Sequence, residues 1–190
     1  MKNTYLFIIL ALIAGYFLYQ KTTPPTLNPA PTSVVNRGNC LADDCLLVDD
    51  LEYPVGTLPS SVKEALDTAL DDEYKAYSTY QAVIAKLGNT RPFAMIIGAE
   101  EQHIASLKAL YSKYGETPKA NPYLGKVTAP ATLALACDTG VSAEISNADL
   151  YQNKLLPVVT DYPDITAVFT QLMDASRTKH LPAFERCSTR

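Results

Sequence analysis

A chain of 190 residues holds one ordinary domain plus accessory segments, and with 47% hydrophobic residues it can build a sizeable core. Its formal net charge of −4, with no long run of like charges, argues against a nucleic-acid partner, which calls for a clustered basic face. The sequence also carries no nucleophile motif, no phosphate-binding glycine loop and no CxxC redox pair.

The chain opens with Thr4 to Tyr19, a charge-free apolar segment flanked by Lys2 and Lys21. It is shorter than the roughly 20 residues that comfortably span a bilayer core of about 30 Å. A cleaved signal peptide would end in small residues, whereas Tyr16, Phe17, Leu18 and Tyr19 are bulky and suit an interfacial anchor. Residues 1–20 are therefore read as a signal anchor or transmembrane segment, contacting the membrane through residues 4–19. The domain lies outside the cytoplasm in the cell envelope, or is secreted if the N-terminus is cleaved. Residues 21–57 form a Pro-rich linker followed by a small cap containing Cys40 and Cys45.

From residue 58 to 190 the pattern is helical. Pro59 to Leu87 places apolar or small residues three or four apart, with Ser60 or Ser61 as caps and Gly88 as a stop. A second helix is expected from Arg91 to Tyr114, with Pro92 in its first turn and Gly115 closing it. The stretch from Glu116 to Pro130 holds three prolines and breaks the pattern. A third helix is expected from Ala131 to Val158, and a fourth from Asp161–Pro163 to about Arg186. Pro157 and Pro182 fall where they would distort a turn. Short turns make each helix pair antiparallel, while the central break, at roughly 3.3 Å per residue, reaches across a bundle. The expectation is an all-α antiparallel four-helix bundle of two hairpins joined by a long crossover, preceded by a hydrophobic anchor helix.

The cysteines number four: Cys40, Cys45, Cys137 and Cys187. An even count in an exported chain favours disulfides, and zinc is disfavoured because neither histidine lies near Cys40 and Cys45. Spacing leaves the connectivity open. A local Cys40–Cys45 loop and a Cys137–Cys187 staple are the expected pairs, since antiparallel neighbours bring the start of helix three to the end of helix four.

The two hairpins repeat a pattern. Glu73 is followed by Ala76 and Tyr80, and Glu144 by Asn147 and Tyr151, at the same spacings. Glu100 and His103 stand three apart, so both leave one helical face. The second histidine, His180, follows Phe169 much as His103 follows Phe93. Counted from the turns at 1.5 Å per residue, each Glu lies within roughly 3 Å in height of its partner His. A Glu from each of two helices with Glu-x-x-His pairs from the others is the recipe of dinuclear bundle sites. Carboxylates with imidazole suit iron or manganese better than Ca²⁺ or Mg²⁺. Three buried carboxylates would repel one another, raising their pKa values unless a cation intervenes.

The stretches Asp71–Tyr77, Ala99–His103, Gly140–Glu144 and His180–Phe184 resemble the ferritin-like superfamily, which includes rubrerythrins and bacterioferritins. Within it they look closest to a prokaryotic branch known only as a domain of unknown function. The resemblance implies metal ligands at Glu73, Glu100, His103, Glu144 and His180, with iron or manganese as cofactor. It also implies oxidoreductase chemistry with O₂, peroxide or Fe²⁺.

One departure stands out: the position three residues before His180 is Arg177, where a full two-metal site wants a carboxylate. An inserted residue in helix four, as a π-bulge, would bring Ser176 there instead. The site is accordingly dinuclear or mononuclear, and a structural or binding bundle with a degenerate site is the alternative function. The sequence leaves open a homodimer. The anchor reading makes the first testable expectation. The full-length protein should fractionate with membranes carrying an intact N-terminus, and mass spectrometry finding a mature start beyond Gln20 would make it a secreted protein instead.

Overall fold

The computed structural model describes residues 56–189. The anchor at 4–19, the Cys40–Cys45 pair and nearly all of the 21–57 segment lie outside the described residues. Among the described residues there is no strand, and no helix is long and apolar enough to cross a membrane.

Helix α1 runs over Ser60–Leu87 and α2 over Phe93–Lys113. Ser60 and Ser61 do not cap α1; both lie in its first turn, and Pro59 holds the cap position without a side-chain bond. Gly88 ends the helix with φ 88°, a left-handed conformation that glycine adopts without a Cβ penalty. Helix α3 spans Leu133–Leu150, started by Thr132, whose hydroxyl accepts a hydrogen bond from the Leu135 N–H. Its path continues through a π turn at Tyr151–Leu155 and a 3₁₀ turn at Leu156–Val158. The last rod is built of α4 (Pro163–Ala175), a π turn at Ser176–His180 and α5 (Leu181–Ser188).

The inserted turn anticipated in the last rod is therefore present, and the third rod carries another that the periodicity did not announce. Each ends two residues before a proline, Pro157 or Pro182. Proline has no N–H and its ring crowds the carbonyl four residues back. A turn bonded five residues back, Leu156 N–H to Tyr151 O and Leu181 N–H to Ser176 O, accommodates the proline without breaking the rod.

The crossover is pinned along α1. Tyr74 donates to the Lys119 carbonyl (3.1 Å), Ser78 bonds Asn121, Tyr123 donates to Asp71 (2.7 Å), and Lys86 donates to the Ala129 carbonyl (3.0 Å). These partners run from Asp71, Tyr74 and Ser78 at the middle of α1 to Lys86 at its end, so the chain returns along the bundle before α3 begins. At the opposite end, Lys113 and Tyr114 both reach the buried carboxylate of Asp164, at 2.8 and 2.9 Å, tying the end of α2 to the start of α4.

Two apolar clusters fill the interior. One gathers Leu66, Leu70, Leu107, Tyr111, Phe169 and Leu172. The other is built on Tyr80, Phe93 and Phe184, whose rings meet at 5.1–5.6 Å, beside Val83 and Ala136. Gly140 belongs to this end because a Cβ there would collide with the Phe184 ring. Between the clusters lies a polar layer.

Cys137 and Cys187 are joined in a disulfide with Cα atoms 5.7 Å apart, stapling the start of α3 to the end of α5. The bridge closes a loop of 50 residues, for which chain entropy gives about 4 kcal/mol of stabilisation. The doubly substituted Cys137→Ala/Cys187→Ala chain should lose stability of that order in denaturant titrations. An unchanged midpoint, or peptide mapping that finds Cys137 bonded to Cys40, would sink this assignment.

Candidate metal centre

The polar layer is supplied by every rod. Glu73 comes from α1, Glu100 and His103 from α2, Glu144 from α3, and His180 from the π turn of the last rod. All five side chains are buried, His180 to 1% exposure. Their spacing within each helix directs them inward together with the apolar stripe. The five residues read from the sequence are thus brought to one place.

Within the layer the groups form two triads that share Glu100. In one, His103 Nδ1 lies 3.1 Å from Glu73 Oε2 and 3.1 Å from Glu100 Oε2. In the other, His180 Nδ1 lies 3.3 Å from Glu100 Oε1 and 3.5 Å from Glu144 Oε2. One donor atom from each member of a triad falls within 4.8 Å of the others. The two imidazole rings stack at 5.6 Å with an interplanar angle of 24°. Both nitrogens of His180 are buried and, among the described residues, neither has a hydrogen-bond partner. An imidazole left so is costly unless something else takes its lone pair.

The tyrosines seven residues after Glu73 and Glu144 serve reciprocally. Tyr80, on α1, donates to Glu144 Oε1 at 2.6 Å, and Tyr151, beyond α3, donates to Glu73 Oε1 at 3.0 Å. Each glutamate is thus fixed by the hairpin it does not belong to. Burial and the neighbouring carboxylates push both phenols well above their usual range, so they remain donors.

Ser176, Asn147 and Asp72 make a further chain that the sequence reading did not assemble. The Ser176 hydroxyl donates to Asn147 Oδ1 (2.7 Å), and Asn147 Nδ2 donates to Asp72 Oδ2 (2.6 Å). Burial raises the Asp72 carboxyl to about 6 against the pull of that amide. The π turn faces Ser176 inward at 3% exposure and leaves Arg177 exposed. The basic residue at the expected carboxylate position therefore does not enter the site. A cavity of about 310 Å³ opens between α1 and α3 and reaches Glu100, Glu144, Tyr80 and Ser176.

The charges do not follow simple mutual repulsion. Burial raises the Glu100 carboxyl to about 8, in spite of both histidines. Burial would raise Glu73 too, but the His103 imidazolium and the hydrogen bonds around it hold it down at about 2. His103 is disfavoured as a cation by burial, yet Glu73 and Glu100 lift it to about 10. His180 is raised likewise by Glu100 and Glu144. The expectation of raised carboxylates thus holds for Glu100 and fails for Glu73, because a histidine acts as its counter-ion.

The linkage has a defined sign. Folding favours protonated Glu100, so its contribution declines as the pH rises from about 4.5 to about 8. The His103 contribution is full below about 6.5 and is lost as the pH rises through about 10. Glu73 contributes above about 4.5 and is lost only as the pH falls towards about 2. Chelator-stripped protein should melt highest in mildly acidic buffer and lower as the pH climbs towards 10, with Glu100→Gln flattening some of that slope. Melting temperatures that rise over this range in stripped wild type would contradict the arrangement of charge.

No family model and no curated protein matches the chain. Among solved structures it is similar to the bacterioferritin of Desulfovibrio desulfuricans, described with a diiron site in different catalytic states. The TM-score is 0.60 at 19% identity, covering 68% of this chain and 79% of that one. The chain has the ferritin-like fold, and that fold encloses a buried Glu/His group able to hold a metal ion.

Proposed function

We propose that this protein binds a pair of iron or manganese ions at Glu73, Glu100, His103, Glu144 and His180, as an exported bundle anchored to the membrane through residues 4–19. The observation that carries the reading is His180. Its two ring nitrogens are buried without hydrogen-bond partners beside two glutamates, as expected of a metal ligand. The donor set fits as well, since carboxylate oxygens shared between two imidazoles suit iron or manganese.

In this reading Glu73 and His103 would hold one ion and Glu144 and His180 the other, with Glu100 common to both groups. Tyr80 and Tyr151 fix the orientation of the outer glutamates, as partners of ligating carboxylates do in other metal sites. To hold an ion, Glu100 and His103 would have to give up their protons, so affinity would rise with pH. The apolar clusters close the layer on both sides, and the cavity between α1 and α3 reaches it from the surface. When bound, such a pair supplies electron-transfer chemistry towards O₂, peroxide or Fe²⁺ itself, which is the oxidoreductase function proposed. The Ser176 substitution favours the second reading, a structural bundle with a degenerate site, and metal binding decides between them.

Stripped full-length protein should bind Fe²⁺ or Mn²⁺ with better than roughly micromolar affinity (about −8 kcal/mol) and melt higher as a result. His103→Ala should lose most of that affinity while its circular dichroism stays helical. Calorimetry showing no binding to wild type, and no change of melting temperature, would leave the structural reading.

A further inference from the structure

A second cavity, of about 430 Å³, opens between the start of α2 and the last rod and shares no lining residue with the one between α1 and α3. Its size is that of a small-molecule site. Three of its side chains are basic: Arg91 just before α2, Lys179 in the π turn and Arg186 on α5. No carboxylate side chain lines it, and among the described residues none forms an ion pair with these three. In a chain of net charge −4 this is a local excess of positive charge. The rest of the wall is mostly apolar. Pro92, Ile96 and Ala183 form it with Cys187, which the disulfide holds to α3, and Met95 stands there 50% exposed. The buried ring of His180 lines the cavity too, so its inner end reaches the polar layer.

We propose that this cavity binds a small amphipathic anion, a carboxylate carried on an apolar tail. An arginine pairs with a carboxylate through two parallel N–H groups, and Arg91, Arg186 and Lys179 together give such a head group its counter-charge. The tail lies against Met95, Ile96 and Ala183, where it takes apolar surface out of water. A cation finds no acidic partner in this lining, and an inorganic anion leaves the apolar wall uncovered. The proposal stands apart from the metal-binding reading, since neither the three cations nor the apolar wall includes a glutamate or a histidine.

The test is a titration of full-length, metal-stripped protein carrying ¹³C-labelled methionine methyls, followed by NMR with the solubilising detergent held constant. The methionines are Met1, Met95 and Met173; Met95 lines the cavity, whereas Met173 packs against the other apolar cluster. Octanoate should shift the Met95 methyl signal saturably and leave that of Met173 in place. Butanoate should bind at least about tenfold more weakly, because it buries less tail. Octylammonium, with the same tail and the opposite charge, should leave the Met95 signal unmoved at concentrations where octanoate saturates it. Arg186→Glu should weaken octanoate binding at least about tenfold. If that variant does not fold, the wild-type series decides by itself. A Met95 signal that octanoate does not saturate, or that octylammonium shifts equally, overturns the proposal. So does sulfate binding as tightly as octanoate, or unchanged affinity in folded Arg186→Glu. No metal is present in any arm, so each of these outcomes leaves the metal-binding reading as it was.

Discussion

Glu73, Glu100 and Glu144 sit within reach of one another in a layer closed off by apolar residues above and below, and a carboxylate in such a place is unfavourable unless something positive or protic meets it. Much of the bundle can be understood as the answer to that constraint. The two histidines enter the same layer from different hairpins. The two tyrosines cross between hairpins, so each half of the fold supplies the phenol for the other half's glutamate. A hairpin taken alone would bury a carboxylate without its phenol, which makes the docking of the two halves specific as well as favourable. The apolar clusters supply most of the driving force, but the polar layer fixes the register in which the hairpins meet.

How much of this could be read in advance depended on whether the signal was local. The hairpins, the crossover and the five inward-facing Glu and His side chains were legible because apolar periodicity and the spacing of Glu73, Glu100, His103, Glu144 and His180 repeat within single helices. The tyrosines seven residues after Glu73 and Glu144 were visible as a repeat, but not their exchange, since spacing along one helix carries no information about which hairpin a side chain bonds across. Asp72, between Asp71 and Glu73, carried no signal of its own. Its role emerges only when α3 brings Asn147 to it, a contact between residues 75 apart in sequence. The Lys113–Asp164 and Tyr114–Asp164 contacts were out of reach for the same reason.

The last rod shows how one residue of helical phase changes a chemical conclusion. With an unbroken α-helix, Arg177 would share a face with His180 and bring a cation into a layer already holding two imidazoles. The π turn rotates that residue to solvent and Ser176 to the interior. The Leu-Pro pairs at 156–157 and 181–182 are the sequence features that accompany the two π turns, and they are local enough to be recognised. Their physical content is the missing donor of proline: a rod that must pass through such a residue accommodates it by widening, and the widening resets which side chains face inward.

The Cys137–Cys187 bridge sits at one end of the second hairpin, and the short turn after Val158 sits at the other. The second hairpin is therefore a closed covalent ring, whereas the first is an open strip of chain. The two sides of a ring cannot unzip from a free end, so the rods carrying Glu144 and His180 stay side by side while the protein breathes. Fluctuations that expose the interior are left to the open first hairpin and to the seam between the hairpins, where α1 faces α3. That seam is also where the cavity reaches Glu100 and Glu144, so loosening the joint between the hairpins opens the polar layer first.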